Sequence, residues 1–202
     1  MTLAILLAAG AGLRMGEPKA LLVLDGRTAA ALCAQALLDG GCDELVVVLS
    51  AASEPARSSL PATALVVHNP RPASGQTGSL KLGLCAGPPG ADFLLHTVDH
   101  PLAGADDVRA LRDALAHSGP PTRIVLPLVG GRRGHPAACR AELAAEFLAL
   151  GDDDPAHLVM RRDPARVLLL PRDNAWLARD LDTPADLADA RAALAARRAA
   201  GR

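Results

Sequence analysis

The chain has 202 residues, half of them apolar, which suits one domain over residues 1–202 with a sizeable core. Its 21 basic and 22 acidic side chains nearly cancel, so no face is basic by numbers alone and nucleic acid is not an expected partner. Aromatic residues are confined to Phe93, Phe147 and Trp176, so the core must be aliphatic and alanine-packed, and base stacking on aromatics lacks material.

No apolar run reaches the roughly 18 residues of a membrane span, so no membrane partner is expected. The start, MTLAILLAAG, is apolar without a basic flank and reads as a buried strand rather than a signal peptide. Cys33, Cys42, Cys85 and Cys139 stand far apart with no CxxC pair, which fits reduced thiols in a cytoplasmic protein.

Taken in chain order, LAILLA (3–8) is an apolar run that reads as a strand. A glycine-rich loop follows, and PKALLVLDG after it looks extended. TAAALCAQALLDGG (28–41) predicts a helix capped by Thr28 and stopped by paired glycines. Strands are predicted over 44–50 and 64–68, a helix over 78–87 and a strand over 92–98. Residues 106–119 form an amphipathic helical pattern with Val108, Leu111 and Leu115 on one face. A strand over 123–129, a helix over 137–151, a strand over 166–170 and a helix over 184–201, with Pro184 in its first turn, complete the chain.

Strands and helices thus alternate, and the strands are continuous apolar runs. That pattern predicts a three-layer, Rossmann-like α/β fold, with a mostly parallel central sheet flanked by helices. Ligands in such folds bind beyond the carboxyl ends of the strands, here the loops 9–20, 69–78 and 99–104.

The first loop, LLAAGAGLRMGEPKALL, carries Gly10, Gly12 and Gly16 with Arg14 inside and Lys19 beyond. A dinucleotide fingerprint needs its last glycine to open a helix, but Glu17 and Pro18 follow Gly16. The second strand also ends LSAAS, without the acidic residue that would hold a ribose hydroxyl. A P-loop fails on spacing, because Lys19 lies three residues after Gly16 and Ala20 stands where Ser or Thr should be. A plain turn leaves Arg14 and Lys19 without purpose. The reading that uses most residues is a triphosphate cradle: backbone N–H groups approach the oxygens where no Cβ intervenes, Arg14 clamps two of them and Lys19 adds a point charge.

Leu7-Ala8-Ala9-Gly10, Arg14-Met15-Gly16 and Lys19 resemble the nucleotidyltransferase signature LAAGxSxRMGxxK, with Gly12 in place of serine. NPRPASGQTGSLKLGL is similar to NPxWxxGxSxSLxxGL, with Asn69, Gly75, Ser79, Leu80 and Gly83 in place, Gly78 where serine is common, and no aromatic near Pro72. LLHTVDHPL resembles LxxxDQPL, with Asp99 and Pro101 matching and His100 where glutamine is common. PLVGGRRGHPAAC resembles PxxxGxxGHP, and DLDTPADL resembles DIDTPEDL. In that order, over residues 3 to 190, they identify the chain as similar to the molybdenum cofactor nucleotidyltransferase family, and within it to the cytidylyltransferase branch.

The resemblance implies transfer of CMP from CTP to molybdenum-bearing molybdopterin, with pyrophosphate released. LAAG favours CTP, whereas LAGG is more frequent in the guanylyltransferase branch, so GTP stays open, as does another phosphorylated acceptor. It implies that Arg14, Lys19 and Asp99 are catalytic. Leu7, Ala8, Ala9, Gly10, Gly12 and Gly16, with Gly75 and Ser79, would hold the nucleotide. Asp99 and Asp182 would hold Mg2+, a hard cation that takes carboxylate and substrate oxygens. His135 lies in the loop that the resemblance sets near the acceptor, and a molybdoenzyme would receive the product.

Each carboxylate has a plainer reading: Asp99 as a turn residue before Pro101, Asp182 as a helix cap, with Asp180 the more exposed alternative. His135 reads equally as a structural ring bonded to a carbonyl; Arg132 and Arg133 beside it either attract the anionic acceptor or form a solvated turn, two readings of equal weight. His96 and His100 have HxxxH spacing on a strand and its exit, but zinc needs a third ligand nearby and no HExxH is present. Asp152-Asp153-Asp154 reads as a solvated loop. No GxSxG elbow supports hydrolase chemistry. From other classes come an NADP-dependent oxidoreductase using the same loop, and a nucleotide-binding regulator without turnover.

Overall fold

The computed structural model describes residues 1–200 except Leu13 and Asp152, and the backbone alone of Ser74. Five strands form most of a parallel sheet: β1 (Thr2–Leu7), β4 (Glu44–Leu49), β5 (Leu65–His68), β6 (Asp92–Thr97) and β7 (Ile124–Val129). Two short strands, β2 (Val23–Leu24) and β3 (Arg27–Thr28), make a separate hairpin. β8 (Arg132–Arg133) folds back on β7; β9 (Ala137–Cys139) and β10 (Val167–Pro171) complete the main sheet, in the order β10-β7-β9-β6-β1-β4-β5. β9 runs antiparallel to both β6 and β7, whereas β10 is parallel to β7.

Both faces of the sheet are covered, which is why its strands read as continuous apolar runs. Along β1, Leu3, Ile5 and Leu7 enter one buried cluster, while Ala4 and Leu6 enter the other. In β4, Val46 and Val48 face the first cluster, and Leu45, Val47 and Leu49 the second. Helix α1 (Ala29–Asp39) and α3 (Ala105–His117) cover one face; α2 (Gln76–Ala86) and α4 (Leu143–Leu148) cover the other. Helix α5 (His157–Arg161) joins the α2 face through Val159, and α6 (Pro184–Ala200) joins the α1 face through Ala190.

With so few aromatics, close approach replaces bulk. A Cβ at Gly83 of α2 would lie 2.5 Å from Ile5 Cγ2, so this helix sits almost on β1. Phe93 and Phe147, both fully buried, meet edge to face at 6.0 Å between centroids. Trp176 is only half-buried, and the Arg179 guanidinium lies 4.7 Å from its ring centroid.

The expected Thr28 cap is present: its hydroxyl accepts from the Ala31 N–H at 3.1 Å, an interaction worth about 1 kcal/mol. The helix expected over 137–151 is a correction. Its first part is β9, and only Leu143–Leu148 is helical. Alanine propensity suggests a helix there, but β6 and β7 stand apart, and only an inserted strand pairs their facing backbone groups. Ala137, Ala138 and Cys139 are small enough to be wholly buried in that slot. The segment expected to be extended after Pro18 instead begins with a 3₁₀ turn over Lys19–Leu21 before entering the β2–β3 hairpin. No helix among the described residues is long and apolar enough to cross a membrane.

Candidate active site

The carboxyl ends of β1, β5 and β6 open onto a cavity of about 280 Å³ lined by Leu7, Ala9, Gly10, Gly12, Lys19, Gly75, Ser79 and Asp99. The fold therefore gathers these sequence-selected residues from three separate loops. Ala8 lies outside the cavity, buried in the core, with its N–H bonded to Val48 O at 2.9 Å. Gly16 is exposed at the turn beyond, with φ of +76°.

Gly75 adopts φ of +99° and ψ of −171°, a conformation essentially reserved for glycine, and caps α2 without any side-chain bond. The first N–H groups of α2 consequently lack side-chain caps beside the cavity, a place suited to anions. Ser79 is buried and accepts from Asn69 Nδ2 at 2.9 Å; Asn69 Oδ1 in turn accepts from the Arg71 N–H at 2.8 Å. Ser79 thus fixes the loop after β5 against α2.

Three charged side chains meet at the cavity edge. Lys19 Nζ lies 2.6 Å from Asp182 Oδ1 and 3.3 Å from Asp99 Oδ2. Arg14, on the exposed loop, reaches Asp182 Oδ2 at 3.5 Å and lines an adjoining recess with Gly12, Lys19 and Asp182. Asp99 lies two residues beyond β6, and its carbonyl accepts from the Leu181 N–H at 2.9 Å, which ties the approach to α6 to this strand end. Asp182 is not the helix cap: Asp186 Oδ2 instead accepts from the Thr183 N–H at 2.9 Å and the Thr183 hydroxyl at 2.6 Å. Burial disfavours the Lys19 ammonium, but the hydrogen bond to Asp182 and the charge of Asp99 outweigh it and raise its pKa.

A second cavity, of about 350 Å³, shares Gln76, Thr97 and Asp99 with the first and extends to His100, His135 and Asp180. His100 is buried between two carboxylates, with Nδ1 3.1 Å from Asp99 Oδ1 and Nε2 2.8 Å from Asp180 Oδ1. Both carboxylates only accept, so both ring nitrogens carry hydrogen. Burial opposes that charge, yet the bonds to Asp180 and Asp99 lift the His100 pKa to about 9. Burial likewise works against an ionised Asp99, but the His100 bond and charge, with help from Thr97 and Lys19, hold it below the usual carboxylate range.

His135 and His96 stand beside this imidazolium, 4.9 and 6.3 Å from it between centroids. Burial and the His100 charge push His135 down to about 4 and His96 well below its ordinary value. His135 Nδ1 and both His96 nitrogens are sealed from solvent without a hydrogen-bond partner. Among the described residues no three His, Cys, Asp or Glu side chains converge to enclose a metal. Two carboxylates on either side of one ammonium nevertheless form an oxygen donor set suited to a hard divalent cation that draws its other ligands from substrate and water.

Sequence reasoning named Asp180 and His100 but did not pair them, and it missed Gln76, His157 and Arg161 on the second cavity wall. The last two lie in α5, where no motif signals them.

This sheet order, with its glycine-rich first turn and charged strand ends, defines a nucleotidyltransferase-type α/β protein. A family model described as MobA-like NTP transferase domain matches residues 4–168, and the chain belongs to that family. It is 34% identical over 187 residues to nicotine blue oxidoreductase of Paenarthrobacter nicotinovorans, covering 89% of this chain and 91% of that one. It is 36% identical over 152 residues to 2-C-methyl-D-erythritol 4-phosphate cytidylyltransferase of Streptomyces avermitilis, covering 70% of this chain and 60% of that protein. A nucleotidyl transferase from Methanothermobacter thermautotroptrophicus, Mth528, superposes with a TM-score of 0.82 at 26% identity, covering 98% of this chain and 99% of the other.

Proposed function

We propose that the chain is a magnesium-dependent nucleotidyltransferase that moves CMP from CTP to molybdenum-bearing molybdopterin and releases pyrophosphate. The observation that carries this reading is the Lys19 ammonium held between Asp99 and Asp182, at the mouth of a glycine-lined cavity. An acceptor phosphate oxygen attacks the α-phosphorus, a P–O bond forms, and the bond to the β-phosphate oxygen breaks. The attacking phosphate arrives ionised, so no side chain has to remove its proton.

Within this reading the loop from Gly10 to Gly16 and the start of α2 bind the triphosphate, while Arg14 and Lys19 offset the charge that accumulates on its oxygens. Asp99 and Asp182 would hold Mg2+, which supplies charge neutralisation on the phosphates. Lys19 then leaves the carboxylates for the phosphate oxygens. Gly75 and Ser79 shape the nucleotide side, and His135 the acceptor side. A molybdoenzyme would receive the product. Guanylyl transfer differs only in the base that the first cavity accepts.

A second reading is favoured by one observation, the name of the relative that covers nearly all of both chains: an oxidoreductase. On that reading a nicotinamide dinucleotide spans the two cavities, which meet at Gln76, Thr97 and Asp99.

Thermal shift with CTP, GTP, ATP, UTP and NADPH, each with and without magnesium, separates these readings, because a ligand that binds only the folded state raises Tm by mass action. A magnesium-dependent shift with CTP alone is expected. A shift with GTP alone keeps the chemistry and changes the base. A shift with NADPH alone, indifferent to magnesium, overturns the transferase.

A further inference from the structure

Arginine is abundant in this chain, and almost every one has a partner. Arg140 reaches Asp92, Arg162 and Arg166 share Glu146, Arg172 grips Asp107, and Arg179 bridges Asp186 and Asp189. The arginines at 14, 57, 109, 112, 123 and 198 pair with carboxylates as well. Those at 27, 191 and 197 bond backbone carbonyls, and Arg71 is also engaged. Among the described arginines, only the exposed side chains of Arg132, Arg133 and Arg161 lack a hydrogen bond or ion pair, and all three line the second cavity.

They come from different elements: Arg132 and Arg133 form β8, and Arg161 ends α5. Their convergence is therefore a product of folding, not of a basic run in sequence. Unpaired guanidinium groups around one cavity repel each other, and an anion relieves that repulsion while offering the fork of oxygens that guanidinium matches. The carboxylates in the same cavity do not serve, since Asp180 and Asp99 are both engaged by His100 and Asp99 also by Lys19. None of the three arginines lines the nucleotide-side cavity.

We propose that Arg132, Arg133 and Arg161 form an anion subsite that grips a phosphate or carboxylate group on the acceptor, on the side of the second cavity away from the nucleotide. Calling the ligand an acceptor rests on the transferase reading; the anion subsite itself does not. Exposed His157, on the wall of the same cavity, adds a further donor. The apolar lining from Leu126, Ala137 and Met160 takes the uncharged body of the molecule.

Calorimetric titration with inorganic phosphate, citrate and CTP tests this on four proteins: the wild type, Arg161→Gln, the double variant Arg132→Gln/Arg133→Gln, and Arg57→Gln as a remote control of equal charge change. Charge-assisted bonds of this kind are worth about tenfold or more in affinity. Phosphate or citrate affinity should fall by about that factor in Arg161→Gln and in the double variant, but not in Arg57→Gln. CTP affinity should stay unchanged. Preference between phosphate and citrate identifies the anionic group. Equal affinities in all four proteins overturn the subsite, and so does a matching loss of CTP affinity, which would assign the arginines to the nucleotide. Anion binding that the arginine variants lose, in a protein that never binds CTP, keeps the subsite and sinks the transferase reading instead.

Discussion

Asp107 is a buried carboxylate that lines neither cavity, and its removal has a calculable effect. Its Oδ1 accepts from Arg172 Nε at 3.0 Å and Nη2 at 2.8 Å, two donors of one guanidinium on a single oxygen. Its Oδ2 accepts from Asn174 Nδ2 at 2.7 Å and from the Gly104 N–H at 3.2 Å. Asn174 Nδ2 also reaches Leu102 O at 3.0 Å, and Arg197 of α6 bonds both Leu102 O and Asn174 Oδ1. One carboxylate, with Asn174 beside it, therefore ties the start of α3, the exit of β10 and the last turn of α6 to the segment just after Asp99. Breaking a buried pair by deleting one partner costs about 3–5 kcal/mol. The Asp107 side chain is 8% exposed but that of Arg172 is 28% exposed, so water recovers part of the loss and about 3 kcal/mol is expected for Asp107→Ala. For a chain of this length each kcal/mol lowers Tm by about 2–4 °C, hence a fall of about 6–12 °C. Calorimetry and urea unfolding measure both quantities. A loss below about 1 kcal/mol would refute the reasoning, because the pair would then be worth no more than an exposed one.

Asp99→Asn should stay folded, with a lower Tm because Lys19 and His100 lose their charged partner, and should lower nucleotidyl transfer by about 100-fold or more; full turnover in that variant would sink the metal assignment. EDTA should abolish transfer and magnesium restore it; turnover unaffected by chelation contradicts a divalent requirement. Gly134→Ala puts a Cβ 1.9 Å from Leu177 O, a backbone atom that cannot swing away. It should cost about 2 kcal/mol in urea unfolding, and a neutral result would mean that the 130–136 turn is free to move. The histidines set a stability maximum. His100, raised to about 9, stabilises fully below its unfolded pKa near 6.5 and loses that contribution as pH rises to 9. His135, lowered to about 4, binds its proton more readily when unfolded, so stability rises with pH from 4 to about 6.5. Unfolding free energy measured against pH should decline above neutrality in the wild type and flatten there in His100→Gln; parallel curves would contradict the clamp.

What the sequence shows and hides follows from the range of the interactions. The runs at 44–50 and 92–98 are legible because both faces of a parallel strand are buried, so the pattern is local. Residues 137–139 are not, since the reason they extend is a gap between strands whose sequences lie elsewhere. The first cavity is legible because short motifs place Gly10, Lys19, Gly75 and Asp99 in the segments that follow β1, β5 and β6. The clamp of His100 by Asp180 joins residues eighty positions apart, and Arg161 comes to line the same cavity as Arg132 only through the packing of α5. Neither leaves a spacing to detect.

The half-buried ring of Trp176 gives the molecule an optical property of its own. The chain has no tyrosine and no other tryptophan, so its near-ultraviolet fluorescence originates at a single position. That position lies on the 3₁₀ turn Ala175–Ala178, whose last residue lines the second cavity, with Asp180 two residues further on. The emitter also carries a guanidinium over its face, and that guanidinium is shared with two carboxylates at the start of α6. Any ligand that shifts this turn, or draws Arg179 away, reports itself as a change in colour or intensity from one known place, with no label attached and no background to subtract.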